Sequence, residues 1–262
     1  MINSQLVSAY IRHRLKAKTR HGIHSPFVYN LVDKVIYDFR PQPDYDVIEQ
    51  LRSELLSNNQ AISVTDLGAG SHVNNNSEKK ISQIAKNALK PKKLAQLIFR
   101  LAKEFKPRNI IELGTCLGLT TAYLSKASPE ANVISIEGCP RTAEVARQNM
   151  EVLSLKDVKV LTGNFDTVFP DVINAVDSAD LVFIDGNHRK QATLDYFSLC
   201  LPKVHEGSLL IFDDVYWSKG MEEAWEEIKN HPQVTLTIDL FWIGLVFFKK
   251  GQVKEHFKIR YS

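Results

Sequence analysis

Three cysteines in 262 residues are too few for a scaffold held by sulfur, and their placement does not suit one. Cys116, Cys139 and Cys200 lie far apart, are odd in number and form no C-x-x-C pair, so neither a disulfide framework nor a thiolate zinc site is expected. Long apolar runs are missing as well. No uninterrupted stretch approaches the ~20 residues of a membrane span, and the first residues show no signal-like apolar core. A cytoplasmic protein without a transmembrane segment is therefore expected. Internal repeats and low-complexity tracts are also lacking. Acids are scarce in one place: residues 1–32 hold Arg12, Arg14, Lys16, Lys18 and Arg20 but no Asp or Glu. With those five set aside, 28 basic residues face 30 acids, so the excess behind the net charge of +3 lies in this arm. Such an arm attracts an anionic substrate, nucleic acid or an acidic membrane surface. A solvated helix face, with Tyr10-Ile11 and Leu15 on its buried side, accounts for it equally well.

The remainder is ordinary globular composition, 44% hydrophobic and 24% charged. Residues 1–60 read as helices broken at Gly22, Pro26 and Pro41-Gln42-Pro43, with Tyr10, Phe27, Tyr29, Tyr37 and Phe39 interleaved. Two further helices are predicted over 77–89 and 91–105, the second with Leu94, Leu97, Ile98, Leu101 and Phe105 on one stripe that should dock on a sheet. From residue 109 onward, apolar strands alternate with helices: 109–113, 133–137, 158–162, 181–185 and 208–213. Alternation of this kind implies a parallel sheet with helices on both faces, and ligands in such sheets bind at the strands' carboxyl ends. The last two strands, 234–240 and 243–248, are joined too tightly for a crossover and must be antiparallel neighbours. The expected division is a helical cap or arm over 1–90 and a catalytic domain over 91–262.

Glu112-Leu113-Gly114-Thr115-Cys116-Leu117-Gly118-Leu119-Thr120-Thr121 falls where the first of these strands turns into a helix. Its glycines permit close approach of backbone to a ligand, and the new helix presents free N–H groups there. A dinucleotide fingerprint is absent, since Cys116 and Leu119 stand where two of its glycines should fall. A P-loop is absent too, because Gly118 is followed by leucine. What remains is acid-x-Gly-x-x-x-Gly, with Glu137 ending the next strand, where a carboxylate accepts both hydroxyls of a ribose. Glu112 adds negative charge that suits a cofactor with a cationic amino acid end.

These residues resemble the class I S-adenosylmethionine-dependent methyltransferases, nearest to the catechol and caffeoyl-coenzyme A type O-methyltransferases, over residues 110–248. The resemblance implies an α/β fold: a doubly wound, mostly parallel seven-stranded sheet of Rossmann-like type, closed by an antiparallel hairpin and preceded by a helical extension. It also implies that Glu112, Gly114 and Gly118 lie beside the methionine end, that Thr120 holds its carboxylate, that Glu137 binds the ribose diol and that Asn164 contacts adenine. A look-alike upstream, Val64-Thr65-Asp66-Leu67-Gly68-Ala69-Gly70-Ser71, runs into polar loop with no acid-ended strand after it. It is expected to be a structured loop, not the binding turn.

Two more strands end in carboxylates, at Asp185 and at Asp213-Asp214. Clustered carboxylates repel and raise one another's pKa unless a hard divalent cation neutralises them, which points to Mg²⁺ or a similar ion on Asp185, Asp213 and Asp214. The resembling metal-dependent enzymes carry an Asp-Asn pair where this chain has Asp213-Asp214. Helix capping by Asp185 and Asp214 is the plainer alternative. Transfer to oxygen needs a base, and His188, three residues after Asp185, stands where those enzymes carry a lysine; its ordinary pKa of about 6.5 suits proton abstraction at neutral pH. The expected activity is O-methylation of a small hydroxylated acceptor, phenolic or catechol-like, with Asp185 and His188 catalytic. A homodimer is compatible with this reading. Two rivals stay open: a nucleic-acid methyltransferase using the basic arm, although the Asn/Asp-Pro-Pro-aromatic tetrad of base-amino methylation is absent, and a non-catalytic cofactor-binding module.

Overall fold

The computed structural model describes residues 4–65, 77–251 and 253–261. In chain order its first elements are α1 (Ser4–Lys16), α2 (Pro26–Leu31), α3 (Pro43–Ser57), β1 (Ala61–Val64), β2 (Ser77–Lys80), α4 (Ile81–Ala88), α5 (Lys92–Phe105) and β3 (Asn109–Leu113). There follow α6 (Leu119–Ala127), β4 (Asn132–Glu137), α7 (Pro140–Val152), β5 (Val158–Thr162), α8 (Phe165–Ala175) and β6 (Leu181–Ile184). The last are α9 (Lys190–Cys200), β7 (Leu209–Asp213), α10 (Lys219–Asn230), β8 (Leu236–Asp239), β9 (Ile243–Phe247) and β10 (Glu255–Lys258). Two compact units result, Phe39–Val176 in one and Met1–Asp38 with Asp177–Ser262 in the other, so the stretch 1–90 is shared between them.

In the unit Phe39–Val176, β3, β4 and β5 lie side by side and parallel, with Glu112 opposite Ser135 and Glu137 opposite Thr162. The stripe on α5 is buried at Leu94, Leu97, Ile98 and Leu101. Ala95 and Phe99 on the same helix join a second cluster with Tyr45, Leu51, Leu119 and Tyr123, so α5 is covered on more than one side. Tyr45, Phe99 and Tyr123 meet edge to face, with centroids 5.0–6.2 Å apart, the arrangement that ring quadrupoles favour. The helix expected over 77–89 begins only at Ile81, because Ser77–Lys80 instead pairs antiparallel with β1. A backbone partner far away in sequence outweighs local propensity there. The upstream look-alike thus has a true strand before it, ending at Val64, while Asp66 and residues 67–76 lie outside the described residues.

The other unit orders its strands β10-β8-β9-β7-β6. Strands β6 and β7 are parallel, and β8 and β9 form the expected antiparallel hairpin, with β9 antiparallel to β7. Strand β10 runs parallel to β8, which the sequence does not predict; with it this unit has five sheet strands beside the other unit's three, eight in all where seven are expected. Residues of β6, β7 and β9 are buried throughout, which is why each reads as an unbroken apolar run. Gly244 in β9 is required by packing: a Cβ there would meet the Trp225 ring at 2.6 Å. Helix α1 closes over this unit through Ala9 and His13.

Candidate active site

The turn after β3 is shaped by three residues with left-handed backbone, Gly114 (φ 105°), Cys116 (φ 50°) and Gly118 (φ 81°). The Gly114 N–H donates to the Ile136 carbonyl at 2.9 Å, folding the turn against the end of β4. Gly118 is the N-cap of α6, and a Cβ added to it would lie 2.8 Å from Met150 Cε, so both conformation and space select glycine. Glu112 is fully buried and accepts hydrogen bonds from Thr121 Oγ1 and from Ser135 Oγ, the latter at 2.6 Å. Thr120, 8% exposed, stands in the first turn of α6.

Glu137 is held at both oxygens: Oε2 accepts from the Cys116 N–H at 2.8 Å and Oε1 from the Cys139 N–H at 2.9 Å. The glycine turn and the start of α7 therefore orient a single carboxylate. Each oxygen of a carboxylate offers about two lone-pair sites, the acceptor geometry that a diol uses. Asn164 is the N-cap of α8, its Oδ1 accepting from the Asp166 N–H at 3.0 Å, which commits the oxygen and leaves the amide N–H₂ outside that bond. Thr121 and Ser135 escaped the sequence reading, although a serine in the middle of the apolar run Val133 to Ile136 signals a buried polar partner.

In the other unit, parallel register does the assembly. Ile184 pairs with Phe212, so the residues that follow, Asp185 and Asp213, leave the sheet side by side. His188 turns back towards them after left-handed Asn187 (φ 61°), its Nε2 3.8 Å from Asp185 Oδ1. One ligand atom from each of Asp185, His188 and Asp213 lies within 4.8 Å of the others. Asp214 does not belong to this group; its backbone is left-handed (φ 52°), and its N–H is taken by the Trp242 carbonyl at 2.8 Å. Asp214, expected as a metal ligand, thus lies outside this cluster, and His188, expected as the base, lies within it. The capping alternative fails on position, since the N-caps of α9 and α10 are Arg189 and Ser218.

The neighbouring residues divide into packing and surface. Tyr216 is buried, stacks on Phe241 at 4.9 Å and donates its hydroxyl to Asp239. Burial pushes the Asp239 carboxyl up, yet the His13 imidazole, the Tyr216 hydroxyl and the Phe241 N–H outweigh this and hold it below the usual carboxylate range. Lys190, two residues after His188, is bound by Glu227 and Glu223, which raise its pKa. A cavity of about 490 Å³ lies in this unit, bordered by Tyr216, Lys190, Arg12 and Glu223 among others.

Comparison with known proteins places this architecture. Residues 111–215 match the family profile described as a methyltransferase domain, and the fold is shared with solved O-methyltransferases. An O-methyltransferase from Bacillus cereus, solved in complex with SAH, superposes with a TM-score of 0.56 at 21% identity, covering 80% of this chain and 93% of that one. An O-methyltransferase from Streptomyces achromogenes, solved with SAM, gives 0.57 at 17% identity, covering 85% and 95%. Among curated proteins, the chain resembles enzymes named catechol O-methyltransferase. It is 30% identical over 126 residues to a catechol O-methyltransferase of Niastella koreensis, covering 47% of this chain and 55% of the relative. With its counterpart from Mycobacterium tuberculosis it is 30% identical over 123 residues, 46% and 54%. The chain spans about half the length of these curated relatives. Among the described residues, no helix is long and apolar enough to cross a membrane.

Proposed function

We propose that the protein is an S-adenosylmethionine-dependent O-methyltransferase acting on a hydroxyl of a small acceptor, phenolic or catechol-like. The observation that carries this reading is the meeting of Asp185, His188 and Asp213 at the carboxyl ends of two parallel strands. Glu137, Gly114, Gly118 and Thr120 would hold the methyl donor, with Glu137 on the ribose; Asn164 would reach the adenine through its amide N–H₂. Glu112 acts from beneath the turn, fixing α6 to β4 through Thr121 and Ser135.

The donor set fits a divalent cation: two carboxylates and an imidazole with ligand atoms this close repel or compete unless a positive charge lies among them. When bound, such an ion supplies the charge that lowers the pKa of an acceptor hydroxyl. An imidazole in the set is accepted more readily by a first-row transition ion such as Mn²⁺ than by Mg²⁺, which prefers oxygen throughout. His188 then serves as a ligand and not as the base, while Asp185 and Asp213 hold negative charge at the reacting end. The deciding assay offers S-adenosylmethionine with a panel of catechols and phenols, before and after exhaustive chelation and with Mg²⁺ or Mn²⁺ restored. Turnover that chelation removes and Mn²⁺ restores, together with a His188→Ala variant partly rescued by excess metal, is expected. Activity indifferent to chelation ends the metal reading, and cofactor binding by calorimetry without any turnover would make the chain a binding module.

A further inference from the structure

Helix α1 carries a second stripe that its packing does not use. Its packing face is Ala9, His13 and, just past the helix, Ala17, exposed by 1%, 2% and 8%. The chain beyond is pinned to the sheet edge, the Lys18 N–H donating to the Lys258 carbonyl at 2.8 Å and the Arg260 N–H to the Lys18 carbonyl at 2.9 Å. The sequence places Tyr10, Ile11 and Leu15 on the buried side, and of these Tyr10 packs edge to face on Phe241 at 4.9 Å. Val7, Ile11 and Leu15, spaced by four and so aligned on one face, are instead exposed by 42%, 53% and 82%. At 3.6 residues per turn Arg14 borders this stripe on one side, and Arg12 and Lys16 lie on the other. Of these bases Arg12 reaches an acid, Glu222 at 3.5 Å; among the described residues Arg14, Lys16 and Lys18 have no carboxylate at ion-pair distance. No Asp or Glu precedes Asp33.

An aliphatic line between basic flanks, on a helix already fixed by its opposite face, is the pattern of a helix lying in a membrane interface. We propose that this face of α1 docks on an anionic lipid surface, with Val7, Ile11 and Leu15 entering the headgroup boundary while Arg12 and Lys16, both exposed, meet anionic headgroups. Long basic side chains reach such headgroups while their stems cover apolar surface. A second copy docked through the same face would bring two basic helices together, which like charge opposes. Nucleic acid would satisfy the charge but leave the aliphatic line in water. The docking is peripheral, and it stands independently of the methyl-transfer reading.

Co-sedimentation of the full chain with phosphatidylcholine vesicles, with and without phosphatidylserine, at low and high salt, tests it. Binding is expected to the mixed vesicles, to weaken as salt rises, and to fall about tenfold or more for Ile11→Asp/Leu15→Asp. The thermal midpoint of that variant should match the wild type, since neither side chain packs inward. Arg12→Glu/Lys16→Glu reads the electrostatic half separately and should also lose binding to mixed vesicles. Absence of binding to mixed vesicles, or binding equal in the wild type and both variants, overturns the proposal. So would a wild-type dimer that Ile11→Asp/Leu15→Asp dissolves without any vesicle binding, or retention of RNA in place of vesicles.

Discussion

The glycine turn and the acidic edge both follow a buried parallel strand, yet they are held in opposite ways. At the turn the chain's own donors grip the carboxylates: Thr121 and Ser135 hold Glu112, and the N–H groups of Cys116 and Cys139 hold Glu137. At the edge the register of β6 and β7 sets two carboxylates side by side, and an imidazole joins them through left-handed backbone at Asn187 and His188. The first region is preorganised by neutral donors, which fixes its shape whether or not a ligand is present. The second concentrates like charge and uncommon backbone, features retained where an added cation or a substrate repays them.

The sharpest way to break this contrast is to remove charge from the acidic edge while keeping its shape. Asp213→Asn is expected to lower turnover by on the order of a hundredfold or more, since charge at the reacting oxygen is worth several kcal/mol. The activating metal should be needed at higher concentration, and circular dichroism should be unchanged. Turnover and metal response equal to the wild type would make the edge a purely structural feature, and the comparison would collapse.

The turn is tested through Glu137→Gln, which keeps size and one acceptor oxygen but loses the charge. Hydrogen bonds to a charged group contribute about 1.5–3 kcal/mol, so calorimetric affinity for S-adenosylmethionine is expected to fall roughly ten- to a hundredfold. Because the Cys116 and Cys139 N–H groups also rest on this side chain, a modest drop in thermal midpoint should accompany it. An affinity that does not move would remove the ribose role from Glu137.

The two regions were not equally legible in the sequence. Strands buried on both faces, such as Leu181–Ile184 and Leu209–Asp213, print themselves as unbroken apolar runs, and the acids that end them mark the sheet's carboxyl edge directly. The hairpin followed from the shortness of its connection. Strands β2 (Ser-Glu-Lys-Lys) and β10 (Glu-His-Phe-Lys) were illegible, because polar edge segments become strands only when a partner backbone is offered, and no local pattern names that partner. Helix α1 was assigned the wrong buried side at Ile11 and Leu15, since Ala9, His13 and Ala17 form a weaker apolar signal than Val7, Ile11 and Leu15. At the acidic edge, spacing located Asp185 and Asp213 but could not forecast that left-handed backbone would bring His188 into the group and carry Asp214 out of it.

That exchange sets the smallest expected effect and the finest test of the comparison. Asp214 follows Asp213 directly, so charge counting alone would give both the same weight. The backbone separates them: Asp213 closes β7 and is 2% exposed, whereas Asp214 has φ 52° and spends its N–H on the Trp242 carbonyl. Asparagine tolerates left-handed backbone as well as aspartate does, so Asp214→Asn removes a charge without straining the turn. Stability should stay within about 1 kcal/mol of the wild type, the typical effect of a single substitution. Metal activation, measured by titrating Mn²⁺ into the chelated protein, should shift by no more than about threefold, the residual Coulomb effect of a neighbour outside the ligand group. A shift as large as that of Asp213→Asn would return Asp214 to the ion and show that the edge rearranges when a cation arrives, making it the adaptable partner of a rigid turn.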